Sequence, residues 1–257
     1  MKLHKFLFTI ILFTCCTTFI EASVPKVIAH RGYWKTDGSA QNSIRSLIKA
    51  DSIGCYGSEF DVWMTADSVL VVNHDADING IVIEKSNSDK VLSQALKNGE
   101  KVPTLDNLLQ AASQTNLRLI LELKEHDSSF GEKEAVQKVL QSIDKFGLKD
   151  KVEYITFSKE AFKNFVQNAP VNTPVYYLEG DYIPSQIKHV GGKGIDYSLR
   201  VLKKHPEWIK ESHDLGLEVN VWTVDKKDDM LWCIDQGVDY ITTNEPELLQ
   251  SLLQNVL

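Results

Sequence analysis

The stretch VIAHRGYWKTDGSAQNSIRSLIKADSIGCYGSEFDVWM, residues 27–64, decides the fold. It opens on a short apolar run, VIA, and crosses a polar loop. It then enters a helical pattern with Ile44, Leu47, Ile48 and Ile53 near one face, and ends on a second strand-like run, SEFDVWM. Strand, helix and strand in that order make a parallel pair joined by a crossover.

The alternation continues to the end of the chain. VLVV (69–72) reads as a hairpin extension of the second strand, and the helix TLDNLLQAASQTN leads to the strand LRLILELK (117–124). A helix over 132–147, VEYITF, KEAFKNFVQNA, PVYYLEG, a short helix around SQIKHV and GIDYSL follow. EWIKESHDLG, LEVNVWTV, KKDDMLWCIDQG, VDYITT and EPELLQSLLQNVL complete the order, and Gly54, Gly147, Gly216 and Gly237 sit where helix C-caps belong. The count of eight strand–helix units predicts a (β/α)8 TIM barrel of ordinary size, with a doubly wound open sheet as the alternative. The interlude 76–103 is too long for a plain connection and reads as a small insertion after the second strand region, near the barrel mouth.

Residues 1–22 differ from the rest. Lys2 and Lys5 precede FLFTIILFTCC, and small residues follow around Ala22. This predicts a secretory signal peptide and an exported, periplasmic or secreted mature chain from residue 23, with no stable membrane span. A lipoprotein signal ending at Cys15 or Cys16 is the rival, but the residues before those cysteines are bulkier than such a signal uses.

The whole chain carries a formal charge of −7, and 43% of its 257 residues are hydrophobic. An acidic chain offers no electrostatic case for nucleic acid or an anionic membrane surface as partner. Cys55 and Cys233 lie beyond the signal; they could pair in an oxidising compartment, and two buried free thiols is the simpler reading.

In a TIM barrel, functional groups gather at the C-terminal ends of the strands. Glu59 and Asp61 stand two apart on one strand and so point to the same side, while Phe60 and Val62 point to the other. Such a pair can cap a strand end beside solvent or meet a Lys or Arg. Glu122 ends the next parallel strand with Lys124 two residues on, and a salt bridge from that lysine cannot account for three acids. Three oxygen donors without cysteine suit a hard divalent cation, Ca²⁺ or Mg²⁺.

His30 and His74 each end an apolar run at the same rim, so they are candidates for a general acid and a general base. Arg31 offers a planar donor fork for an anion and Lys124 a point charge. A cation site, two imidazoles and two basic side chains match the needs of in-line attack on a phosphodiester. A metal-dependent aldolase or lyase would also want the carboxylates, with less use for the rest. Trp222, two residues after Asn220 on a late strand, is either core packing or an apolar wall for substrate. His126, in a polar loop past the third strand, lies within reach of the site, and His189, His205 and His213 are background.

Taken together, HRG (30–32), QNS (41–43), EFD (59–61), HD (74–75), LELK (121–124), TFS (156–158), VWTV (221–224) and GVDYITTNEP (237–246) resemble the glycerophosphodiester phosphodiesterase family over nearly the whole mature chain. The resemblance implies hydrolysis of small glycerophosphodiesters to glycerol 3-phosphate and an alcohol. It implies Glu59, Asp61 and Glu122 as metal ligands and His30 and His74 as the acid–base pair. Arg31 and Lys124 would hold the phosphate, and Trp222 would line the glycerol side. In the family's usual scheme the glycerol 2-hydroxyl attacks first and water opens the resulting cyclic phosphate.

Gln41 departs from the pattern, which commonly has glutamate there; an amide can accept a hydrogen bond but supplies neither base nor charge. Two other readings stay open, and Gln41 bears on the first. One is a non-catalytic barrel that binds a phosphodiester or sugar phosphate. The other is a lyase that releases a cyclic phosphate.

Overall fold

The computed structural model describes residues 24–254. Eight parallel strands form its centre: β1 (Lys26–Ala29), β2 (Gly57–Met64), β3 (Arg118–Leu123), β4 (Val152–Thr156), β5 (Val175–Tyr177), β6 (Gly194–Ser198), β7 (Glu218–Trp222) and β8 (Tyr240–Thr243). Each pairs with the next, and β1 pairs with β8 on one side and β2 on the other, so the sheet closes. The short strand Leu70–Val72 returns antiparallel along the end of β2, Val62 opposite Val72. The (β/α)8 barrel expected from the alternation is the architecture observed, and the open sheet is not.

Side chains alternate between two cores, as strand geometry requires. Phe60 and Val62 of β2, Leu121 and Leu123 of β3, and Val219 and Val221 of β7 join the large core between barrel and helices. Ile28, Ile120, Ile155, Tyr176 and Tyr240 form a smaller core inside the barrel. The intervening positions Glu59, Asp61, Glu122, Asp196 and Asn220 are buried and polar. Burying such groups is costly unless they are paired or used, so the barrel's interior is where function has overridden packing.

The segment 76–103 folds as a small unit. A two-residue hairpin (Asp77–Ile78 with Ile81–Val82) turns at Asn79–Gly80, both at positive φ, and a short helix (Ser88–Leu92) follows. Ile83, Val91 and Val102 pack on Trp63 and Val71 as a separate apolar cluster, which seats the unit on the end of β2.

One element departs from expectation. Residues Leu199–Lys204 form a helix directly after β6, where the sequence suggests a plain connection to the helix Glu207–Asp214. At six residues it is too short to show periodicity; Ser198 starts it by accepting the Val201 N–H. The glycines at 54, 147, 216 and 237 all have positive φ just past helix ends. Cys55 and Cys233 are buried and form no disulfide among the described residues. No described helix is long and apolar enough to cross a membrane, and the signal segment 1–22 lies outside the described residues.

Candidate active site

The turn after β1 is built backwards from its glycine. Gly32 has φ +76°, and a Cβ there would stand 2.4 Å from Ser46 Oγ on the first helix. Only glycine lets the chain turn this close to the helix. Arg31 beside it is also left-handed, φ 56°, and this conformation aims its backbone N–H at Glu59 Oε2, 2.7 Å away. Its guanidinium donates through Nη1 to Gln41 Oε1 at 2.8 Å and brings Nε within 3.7 Å of Asp61 Oδ2.

Asn42, again left-handed at φ 60°, is joined to Asp61 twice: its Nδ2 donates to Oδ2 at 2.8 Å and its Oδ1 accepts the Asp61 N–H at 3.1 Å. The loop 41–43 is thereby fixed to β2 before Ser43 caps the helix Ile44–Ser52.

Glu59, Asp61 and Glu122 bring one carboxylate oxygen each to within 4.8 Å of one another. Lys124 Nζ donates to Glu122 Oε1 at 2.6 Å and to Asp61 Oδ1 at 3.0 Å. Burial, with the charges of Asp61 and Glu122 added, raises the Glu59 pKa well above the carboxylate range. Burial, then Asp61, pushes Glu122 up to about 7. Burial acts on Asp61 in the same sense, but Lys124, His74, Asn42 and Arg31 outweigh it and hold the group below its ordinary value. Lys124 is raised to about 12, because its two carboxylates outweigh desolvation.

Glu59 Oε1 is buried and has no hydrogen-bond partner among the described residues. Three buried carboxylates, one with an unmet oxygen, fit a hard divalent cation by donor type and charge.

His30, 16% exposed, lies against this cluster, with Nε2 3.9 Å from Glu59 Oε2. Its Nδ1 meets Asn244 Oδ1 at 3.0 Å. Asn244 is itself held by its Nδ2 donating to Asp225 Oδ2 at 2.8 Å, and its Oδ1 also accepts from Trp34 Nε1 at 2.9 Å. The amide orientation makes Oδ1 an acceptor, so His30 Nδ1 carries the proton and Nε2 presents a lone pair. Burial, with Arg31 adding to it, lowers the His30 pKa to about 4 and keeps the ring neutral.

His74 follows the short strand after β2 and is more open. Its Nδ1 meets Asp75 Oδ1 at 2.7 Å, and its carbonyl accepts from Trp63 Nε1 at 3.2 Å.

These groups line a pocket of about 100 Å³ at the C-terminal end of the barrel, where Trp222 and Asp196 also stand. Trp222 donates Nε1–H to the Asp196 carbonyl at 2.9 Å and meets Phe157 edge-on at 5.5 Å, which fixes it as a wall. His74 also borders a second, outer cleft of about 480 Å³ between the loop 34–42 and residues 73–97; Gln41 faces that cleft. Thus His30, His74, Glu59, Glu122, Arg31, Lys124 and Trp222 line one pocket, Asp61 joins it only through the carboxylate cluster with Glu59 and Glu122, and Gln41 stands behind it against Arg31.

His126 does not join them. It is buried, its Nε2 accepting from the Met64 N–H at 3.1 Å and its Nδ1 meeting the Lys124 carbonyl at 2.8 Å. Two residues that sequence reasoning passed over are part of the site. Asn244 lies in the quoted NEP segment, and an Asn after a strand end was the available signal. Asp196 stands alone in GIDYSL with no second charge to draw notice.

Against known proteins, the model of the glycerophosphoryl diester phosphodiesterase family matches residues 30–248. A glycerophosphodiester phosphodiesterase of Caldanaerobacter subterraneus subsp. tengcongensis is 28% identical over 243 residues, covering 89% of this chain and 97% of that protein. The crystal structure of a glycerophosphodiester phosphodiesterase from Parabacteroides distasonis superposes with a TM-score of 0.89 at 48% identity, over 90% of this chain and 98% of that one. An Oleispira antarctica phosphodiesterase, solved with its product sn-glycerol-3-phosphate, shares the fold at 21% identity, with a TM-score of 0.76 over 90% of this chain and 97% of that one.

Proposed function

The chain belongs to the glycerophosphoryl diester phosphodiesterase family, and from that premise we propose that it hydrolyses glycerophosphodiesters to glycerol 3-phosphate and an alcohol, using a divalent cation and two histidines. The observation that carries the reading is one pocket that gathers a buried three-carboxylate cluster, Arg31, and two imidazoles in different settings.

A cation held by Glu59, Asp61 and Glu122 would polarise phosphoryl oxygens and offset the charge that develops on them. Arg31 and Lys124 hold the phosphate. His30 Nε2, with its lone pair kept free by the Asn244 contact, takes the proton from the attacking glycerol 2-hydroxyl. His74, its ring held by the Nδ1 contact with Asp75, gives a proton to the departing alcohol oxygen at the border of the outer cleft. Opening of the cyclic phosphate runs the exchange in reverse: His74 takes a proton from water and His30 returns one to the glycerol oxygen.

Gln41 supports this reading more than a non-catalytic one, because it retains a hydrogen bond that orients Arg31. Export directed by residues 1–22 belongs to the same proposal and is checked by fractionating cells that express the full chain.

The direct test supplies glycerophosphocholine and glycerophosphoethanolamine with Mg²⁺ or Ca²⁺ and measures glycerol 3-phosphate. Chelator-sensitive release is expected. Ligand binding without turnover would favour the non-catalytic barrel, and a cyclic phosphate as sole product would favour a lyase.

A further inference from the structure

Four buried side-chain atoms lack a hydrogen-bond partner among the described residues: Arg31 Nε, Glu59 Oε1, Asp196 Oδ1 and Ser212 Oγ. Three of the four residues line the inner pocket. Arg31 and Glu59 stand where the phosphate and cation belong. Asp196 does not, and the proposed reaction leaves it unused.

Its place follows from the ring of strands. Arg31, Glu59, Asp61 and Glu122 come from the neighbouring strands β1, β2 and β3, and β6 lies four places round the eight-stranded ring from β2. Asp196 therefore faces the charged half of the pocket from the opposite side. Around it that wall is apolar or already engaged. Phe157 and Leu178 offer no hydrogen bonds, Trp222 has given its N–H to the Asp196 carbonyl, and Thr242 Oγ1 is paired with the Asn220 amide in both directions. Asp196 is 1% exposed, and its Oδ1 is the one buried side-chain atom on that wall without a partner among the described residues.

We propose that Asp196 selects glycerol, its free Oδ1 hydrogen-bonding the terminal hydroxyl of the glycerol moiety. This rests on the hydrolytic reading above and adds the specificity of the same pocket. With the phosphate on the β1–β3 side and the 2-hydroxyl at His30, the glycerol chain runs away from the charge towards β6. A pocket of about 100 Å³ leaves room for a group of that size and little more. Burial, partly offset by a hydrogen bond with the Asn220 side chain, pushes the Asp196 carboxyl up to about 8, so at neutral pH it is chiefly the neutral acid and can both donate to and accept from a hydroxyl. A buried polar atom that only the right substrate satisfies discriminates against an analogue lacking the matching group.

The test compares kcat/KM for glycerophosphocholine with that for its analogue built on propane-1,2-diol, which keeps the 2-hydroxyl and lacks the terminal one. The intact protein should favour glycerol roughly 10- to 100-fold. Asp196→Leu should erase the preference, and Asp196→Asn, which keeps an oxygen in place, should restore part of it. Because Asp196→Leu removes an unpaired buried polar atom, its melting temperature should not fall. An intact protein that treats the two substrates alike, or a leucine variant that still prefers glycerol, overturns the assignment. If neither substrate is turned over, the hydrolytic reading fails on its own. Calorimetry with glycerol 3-phosphate and 2-hydroxypropyl phosphate then still decides whether Asp196 reads the hydroxyl, by the presence or absence of the same ratio in affinity.

Discussion

Arg31 Nη1 donates to Gln41 Oε1 at 2.8 Å, so the amide at the position commonly held by glutamate orients the guanidinium from behind. A neutral acceptor adds no negative charge beside Arg31 beyond that of Asp61, 3.7 Å from its Nε. Gln41→Ala releases that side chain. One net hydrogen bond is worth about 1 kcal/mol, so KM should rise roughly fivefold, with a smaller change in kcat. Steady-state kinetics showing an unchanged KM would mean that Gln41 does not support the site.

The two histidines should separate by leaving group. His30→Ala and His74→Ala should each lower kcat by about 10²- to 10⁴-fold on an alkyl glycerophosphodiester. A p-nitrophenyl ester needs no proton on departure, so it should rescue His74→Ala and leave His30→Ala slow. Equal rescue of both, or rescue of His30→Ala alone, defeats the assignment of acid and base.

Cation binding should be visible without turnover. Ca²⁺ or Mg²⁺ at 100 times its Kd should stabilise the fold by about 2.7 kcal/mol, seen as a rise in Tm that chelator reverses. Glu122→Gln should shrink the rise, since it removes one of the three clustered carboxylates. A Tm indifferent to both ions in the millimolar range would argue against the site.

Gly32→Ala should damage the fold as well as the site. The new Cβ would meet Ser46 Oγ at 2.4 Å in a left-handed backbone. A loss of about 2 kcal/mol or more is expected from the clash and strain together, measured as a lower urea midpoint. A variant as stable as the parent would show that the turn relaxes freely.

Acid should weaken the protein through His126. Burial lowers its pKa, and the neutral ring bridges the Met64 amide and the Lys124 carbonyl. An unfolded histidine takes up a proton near pH ~6.5. Below that the unfolded chain binds a proton that the folded one refuses, so this contribution is present above the unfolded value and is lost as pH falls towards the folded one. Urea midpoints at about pH 7.5 and 5.5 should differ in that sense. His126→Gln, which can still accept from Met64, should narrow the gap; His30, lowered to about 4 by burial, keeps part of it.

The barrel was legible because each strand is bounded by helical periodicity, and because the charges of EFD and LELK interrupt apolar runs at matching depth. Two-residue spacing was enough to put Glu59 with Asp61. The same local logic could not reach Asp196, whose meaning depends on facing inwards and on β6 lying across the ring from β2. Nor could it place Asn244 against His30, a contact between residues 214 apart. His126 looked free because its partners are backbone groups, which leave no trace in composition. The helix Leu199–Lys204 fell below the length at which periodicity can be read.

The closure of β1 between β8 and β2 has a consequence in time. His30 leaves the ribosome well before Asn244, the amide that its Nδ1 meets, which is added 214 residues later. At about 5–20 residues per second that interval is roughly 10–40 s. Until it has passed, the first strand lacks one of its two neighbours and His30 lacks the amide that orients its ring. A nascent or interrupted chain would therefore carry every carboxylate of the cluster while His30 still lacked its contact with Asn244.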